Sequence, residues 1–86
     1  MATHDQINYY VEKVSETIDY AQKQLDDFQR VEHGNSEEYT NAQLQLEEIN
    51  QELDSIIRSA TPEQREQLNR AQQRLRQMQN HMILRQ

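Results

Sequence analysis

The chain is predicted to be all-α, an antiparallel up-down-up three-helix bundle with heptad-type, coiled-coil-like seams, on three observations. Apolar residues recur at alternating four- and three-residue spacing in three separate stretches. These are Ile7, Val11, Val14, Ile18, Ala21, Leu25, Phe28; then Tyr39, Ala42, Leu46, Ile49, Leu53, Ile56, Ala60; then Leu68, Ala71, Leu75, Met78, Met82. An α-helix has about 3.6 residues per turn, so such spacing returns to one side and leaves a narrow apolar stripe that needs a partner to be buried. Helix-start signals precede each stretch. Finally, one glycine and one proline among 86 residues argue against sheet-rich and linker-rich architectures.

Helix one is predicted over about residues 4–33. Thr3 followed by Gln6 has capping-box spacing, in which each side chain satisfies a backbone donor that the first helical turn leaves free. Its stripe persists to Phe28, and Gly34 offers the left-handed conformation that closes a helix. Helix two is expected over 36–60, with Asn35 and Glu38 as its capping box and Ser36 as an alternative cap. Helix three, over 62–84, opens on Thr61-Pro62-Glu63-Gln64: Thr caps, Pro suits the first helical position and Gln64 completes a box.

Pro62 could instead kink one long helix. Phase favours a reversal, because the second stripe continued past Ala60 would fall on Glu63, Gln67 and Arg70, whereas the ladder resumes at Leu68, Ala71 and Leu75. At about 1.5 Å rise per residue the three helices would be roughly 45, 37 and 37 Å long, matched well enough to pack as one domain spanning 1–86. A chain this short is near the lower limit for a single core, which leaves room for self-association or a stabilising partner.

The formal net charge is −6, and it is unevenly divided. Residues 1–34 carry three basic and seven acidic side chains, 35–60 carry one and six, and 61–86 carry five and two. The plain reading is that a basic third helix complements two acidic ones and so selects pairing and register. The alternative is a nucleic-acid face of Arg70, Arg74 and Arg76 on helix three. An acidic whole repels a polyanion, and no aromatic residue interleaves with those arginines to stack on bases. An acidic surface for a basic partner, from Glu37, Glu38, Glu47, Glu48, Glu52 and Asp54, has the weaker claim that acidic runs are usually solvated faces.

Tyr10, Val31 and Ile57 flank the stripes and would widen them to the broader face that a three-helix core requires. Tyr9, Tyr20 and Leu44 point further round, and Ile83 and Leu84 sit beside Met82 rather than under it. These five are the candidate partner-binding residues, since clustered aromatic and aliphatic anchors dominate interface energetics, against the plain reading that scattered exposed apolar residues are common. All three seams read as lacking the buried Asn or other polar residue that often fixes oligomeric state, so that state is not legible in the sequence.

No catalytic, cofactor or metal constellation stands out. His4, His33 and His81 are far apart, with no Glu-x-x-His or His-x-x-x-His spacing. His33 near a helix end would meet a favourable dipole, and His81 is expected to be exposed. No glycine-rich phosphate loop is present, and carboxylate acid-base work needs a sheltered pocket that a slim bundle has little room for. The absence of cysteine excludes disulfides and fits a reducing compartment. No long apolar run occurs, and Met1-Ala2-Thr3-His4-Asp5 does not read as an export signal. The expectation is a cytoplasmic, non-enzymatic protein without cofactor that interacts with an unknown protein or with itself, away from membranes.

Three strings carry a resemblance: Asp19-Tyr20-Ala21 with Gln24-Leu25; Glu38-Tyr39 through Ala42-Gln43-Leu44-Gln45-Leu46-Glu47; and Gln64-Arg65-Glu66-Gln67-Leu68 with Met82-Ile83-Leu84. In these the chain resembles the YtzC-like family, short uncharacterised proteins of spore-forming Firmicutes. The resemblance spans nearly the whole chain and implies a small soluble protein of cytosol or spore interior. It implies no activity and offers no functional residues.

Overall fold

The computed structural model describes residues 2–30 and 36–85. Among them are three helices, α1 (His4–Arg30), α2 (Ser36–Ser59) and α3 (Pro62–Leu84), and no strand. The end of helix one at residue 33, the Gly34 closure, the Asn35 cap and the placement of Val31 and His33 lie outside the described residues. Each helix packs against both others, so the section is triangular, and the molecule measures 47 × 20 × 15 Å.

Hydrogen bonds at the two ends establish the direction of each helix. At one end the Ala2 amide donates to the Ser59 carbonyl at 3.2 Å, and Gln64 Nε2 donates to the Ala2 carbonyl at 3.1 Å. The start of α1, the end of α2 and the start of α3 therefore meet. At the other end Phe28 lies against Tyr39, ring centroids 4.5 Å apart, while the Tyr39 hydroxyl donates to the Met82 carbonyl. The order is up-down-up, and Pro62 marks a reversal rather than a kink.

Local chemistry explains the boundaries. Thr3 and Gln6 form the expected reciprocal box, at 2.9 and 3.1 Å. Thr61 and Gln64 repeat it at 2.9 and 3.3 Å, with Pro62 in the first turn. The tight turn between α2 and α3 leaves helix-end carbonyls to satisfy. Arg65 Nε donates to the Ile57 carbonyl at 3.2 Å, and the Ser59 hydroxyl donates to the Ile56 carbonyl at 3.2 Å.

The core is the set of stripes. Ile7, Val14, Ala21 and Leu25 of α1, Tyr39, Ala42, Leu46, Ile49 and Leu53 of α2 with Ala60 just beyond it, and the full α3 stripe are buried. Val11, Ile18, Phe28 and Ile56 are half-buried at the margin, joined by the flanking Tyr10 and Ile57. Ala2, outside every stripe, is also buried, because its backbone is held between α2 and α3.

One sequence expectation is corrected. The seams do contain a buried polar residue: Gln72 is only 6% exposed. Its Nε2 donates across the α2–α3 interface to Asn50 Oδ1 at 3.0 Å and Asp54 Oδ1 at 2.8 Å. A buried amide stripped of water needs those partners, so sliding α3 along α2 costs hydrogen bonds as well as packing. Amide groups carry more of the cross-helix polar bonding than charges do. Gln79 Nε2 reaches Glu47 at 3.1 Å, whereas the ion pairs among the described residues are Arg70–Glu66 within α3 and Arg76–Asp54, which spans α2 and α3 at 3.9 Å. Thr17, also buried, returns its hydroxyl to the Lys13 carbonyl at 2.7 Å.

Candidate interaction surfaces

With the stripes turned inward, four large apolar side chains among the described residues stand in solvent: Tyr9 at 53% exposure, Leu44 at 58%, Ile83 at 61% and Leu84 at 82%. They do not form one patch. Tyr9 lies toward the Ala2 end of α1, and Ile83 and Leu84 lie at the opposite end beside the Tyr39–Met82 bond. Leu44 is on the outer face of α2, in a shallow hollow whose described lining is Glu37, Thr40, Asn41 and Leu44 itself.

Tyr20 behaves differently from the other candidates. Its ring packs partly on the core. Its hydroxyl donates to Glu38 Oε2 at 3.0 Å and accepts from Asn41 Nδ2 at 3.3 Å. The side chain therefore clasps α1 to α2. Tyr9 is held edge-on against Tyr10, with centroids 5.1 Å apart, and accepts a hydrogen bond from Lys13 Nζ at 3.2 Å. That bond is the main reason the Lys13 ammonium is held above its ordinary pKa, opposed by slight desolvation and aided by Glu52.

The three arginines of the basic helix are divided rather than gathered. Arg70 is paired with Glu66 at 2.6 Å. Arg76 faces Asp54 of α2. Arg74 turns to the other flank, where with Gln77, Met78 and His81 of α3 and Ile18 and Gln22 of α1 it lines a solvent-open groove of about 200 Å³. His81 is exposed, as expected. A second groove, of about 390 Å³ between the start of α1 and the end of α2, is lined by Ala2, Gln6, Tyr10, Glu52, Ser55, Ile56 and Ser59.

Among the described residues no group of three or more His, Cys, Asp or Glu could hold a metal ion, and no helix is long and apolar enough to cross a membrane. Burial pushes the Tyr39 phenol above its ordinary pKa, with Arg85 partly opposing. It sits at the helix junction as a packing and hydrogen-bonding group.

Comparison with known proteins gives a family of unknown function. The family described as "Protein of unknown function (DUF2524)" matches residues 1–84. Over 84 residues the chain is 38% identical to the uncharacterized protein YtzC of Bacillus subtilis (strain 168), spanning 98% of this chain and 93% of that protein. No solved structure matches the chain.

Proposed function

The chain belongs to the DUF2524 family of proteins of unknown function, and from that premise we propose that it is a non-enzymatic interaction or structural module working in the cytoplasm. The observation that carries this reading is Leu44. A leucine held 58% exposed on a regular helix, flanked by polar residues and uninvolved in the core, is a ready anchor for another protein. Ile83 and Leu84 supply a second such place in the last turn of α3. Tyr9 and Tyr20 border the α1–α2 side as secondary contacts. A cysteine-free chain suits a reducing compartment.

The test is capture from a nuclease-treated lysate of the source cells with the tagged full chain, counting copies of each captured species. Wild type should retain one stoichiometric protein. Leu44→Glu with Tyr20→Ala, or separately Ile83→Glu with Leu84→Glu, should release it. Capture that survives both pairs of substitutions removes both surfaces and the reading with them.

A further inference from the structure

The face of α2 that carries Leu44 is apolar at its centre and acidic at both edges. Glu47 and Glu48, three and four positions past Leu44, are exposed on the next turn of the same face. Glu47 lies on the edge toward α3, where Gln79 reaches it, and Glu48 on the edge toward α1, in a groove shared with Lys13 and Thr17. The helix carries six acidic residues but one basic, Arg58 in its last turn. That arginine lies roughly 21 Å along the axis from Leu44, at about 1.5 Å rise per residue.

The neighbouring helices leave this charge standing. Of three α3 arginines, Arg70 pairs with Glu66 on its own helix, Arg74 turns to the groove beside α1, and Arg76 meets α2 at Asp54, 3.9 Å away. Glu47 accepts hydrogen bonds from two amides, Gln51 Nε2 at 3.3 Å and Gln79 Nε2 at 3.1 Å. A neutral donor orients a carboxylate without cancelling its charge. Lys13 donates to the Tyr9 hydroxyl, and the carboxylate that acts on it is Glu52, a turn beyond Glu48. Neither Glu47 nor Glu48 makes an ion pair with any described residue.

Deepening the interaction reading above, on which this rests, we propose that the partner covering Leu44 is a basic amphipathic helix of another protein, lying along α2. Its apolar stripe closes over Leu44, and lysines or arginines on either side of that stripe reach Glu47 and Glu48. Flanking charges select partners across a helix seam in this way. The same two edges repel an acidic helix, and a net charge of −6 steers a cationic partner toward the chain. A single leucine anchor on one ridge makes the affinity modest and salt-sensitive.

Fluorescence anisotropy tests this with a labelled helical peptide, leucines on one face and lysines on the rest, titrated with the full chain. A matched peptide with glutamate in place of lysine is the control. At about 0.1 M salt, where exposed charges more than about 10 Å away are screened, the lysine peptide should bind and the glutamate peptide should not. Leu44→Ala, which leaves the charge unchanged, should weaken binding about tenfold, the scale of losing an anchor. Glu47→Gln with Glu48→Gln should also weaken it about tenfold and flatten its dependence on salt. Glu12→Gln with Glu16→Gln, at exposed positions on α1, removes the same charge and should stay within about twofold of wild type. All variants should keep wild-type helicity by circular dichroism. A lysine peptide that does not bind, binding indifferent to Leu44→Ala, or an equal loss from the α1 pair overturns the proposal. If it is overturned while Leu44→Glu with Tyr20→Ala still releases a protein captured from lysate, this inference fails and the interaction reading stands.

Discussion

Replacing Tyr39 by Phe removes one oxygen and leaves the rest of the ring in place against Phe28. Tyr39 is 3% exposed, and its hydroxyl donates to the Met82 carbonyl in the last turn of α3, where helical carbonyls lack partners of their own. A typical net hydrogen bond contributes about 0.5–1.5 kcal/mol, and leaving a buried acceptor bare adds to that. The expected loss is therefore about 1–2 kcal/mol. For a domain of this size each kcal/mol moves the melting midpoint by about 4–8 °C, so Tyr39→Phe should melt roughly 5–15 °C lower with its helicity intact. The pH dependence gives a second reading. Burial raises the Tyr39 pKa above its ordinary 10.0, so the fold favours the protonated phenol. That contribution is complete below pH 10 and is lost as pH rises through the folded-state value. Wild type should lose stability on that alkaline limb, and Tyr39→Phe should lose less. Thermal melts by circular dichroism at neutral pH and above pH 10 measure both, and a variant with an unchanged midpoint would refute the idea that this bond fastens α3 to the bundle.

Gln72→Ala should cost about 2 kcal/mol in urea unfolding, through two lost cross-helix hydrogen bonds and lost packing; a change below about 0.5 kcal/mol would show that the amide does not hold α3 in register. Thr61→Ala should cost about 1 kcal/mol, as N-cap losses typically do, and more than Thr3→Ala, since the Thr61 box also positions the Gln64 amide that bonds Ala2. The reverse order by urea titration would contradict that coupling. Leu46→Ala, fully buried, should cost about 2–5 kcal/mol, while Leu44→Glu two positions away should fall within about 0.5 kcal/mol of wild type. On nucleic acid at low salt, gel-shift assays should show no retention, because two of the three arginines face carboxylates; retention that declines steeply with added salt would revive that reading.

The periodicity of apolar residues was enough to place nearly all of the core, because burial in a helical bundle is dominated by stripe position. The Thr3 and Thr61 boxes were equally plain, since capping depends on neighbours three residues apart. Gln72 was not visible. A glutamine beside Ala71 reads as surface composition, and only the meeting of α2 and α3 brings Asn50 and Asp54 within reach of it. Tyr20 was legible as lying off the stripe but not as a clasp, because its partners Glu38 and Asn41 lie on another helix. The charge asymmetry reads as complementarity that selects pairing and register, but not which arginine faces which helix: Arg76 turns to Asp54 of α2 and Arg74 to the groove beside α1. The phase of Leu44, Ile83 and Leu84 sets them outside the core, where they are exposed, whereas their separation into distinct places follows from the tertiary arrangement.

Residue-resolved amide hydrogen exchange on the full chain, free and bound to whatever wild type captures, tests the central claim that this bundle acts through its outer faces while the core stays closed. The account predicts slow exchange at Leu46, Leu53, Leu68 and Leu75 in both states, with new protection confined to the outer faces near Leu44 or the Ile83–Leu84 end. Faster exchange at those core positions on binding would contradict it, because the partner would then be opening the bundle rather than docking on it.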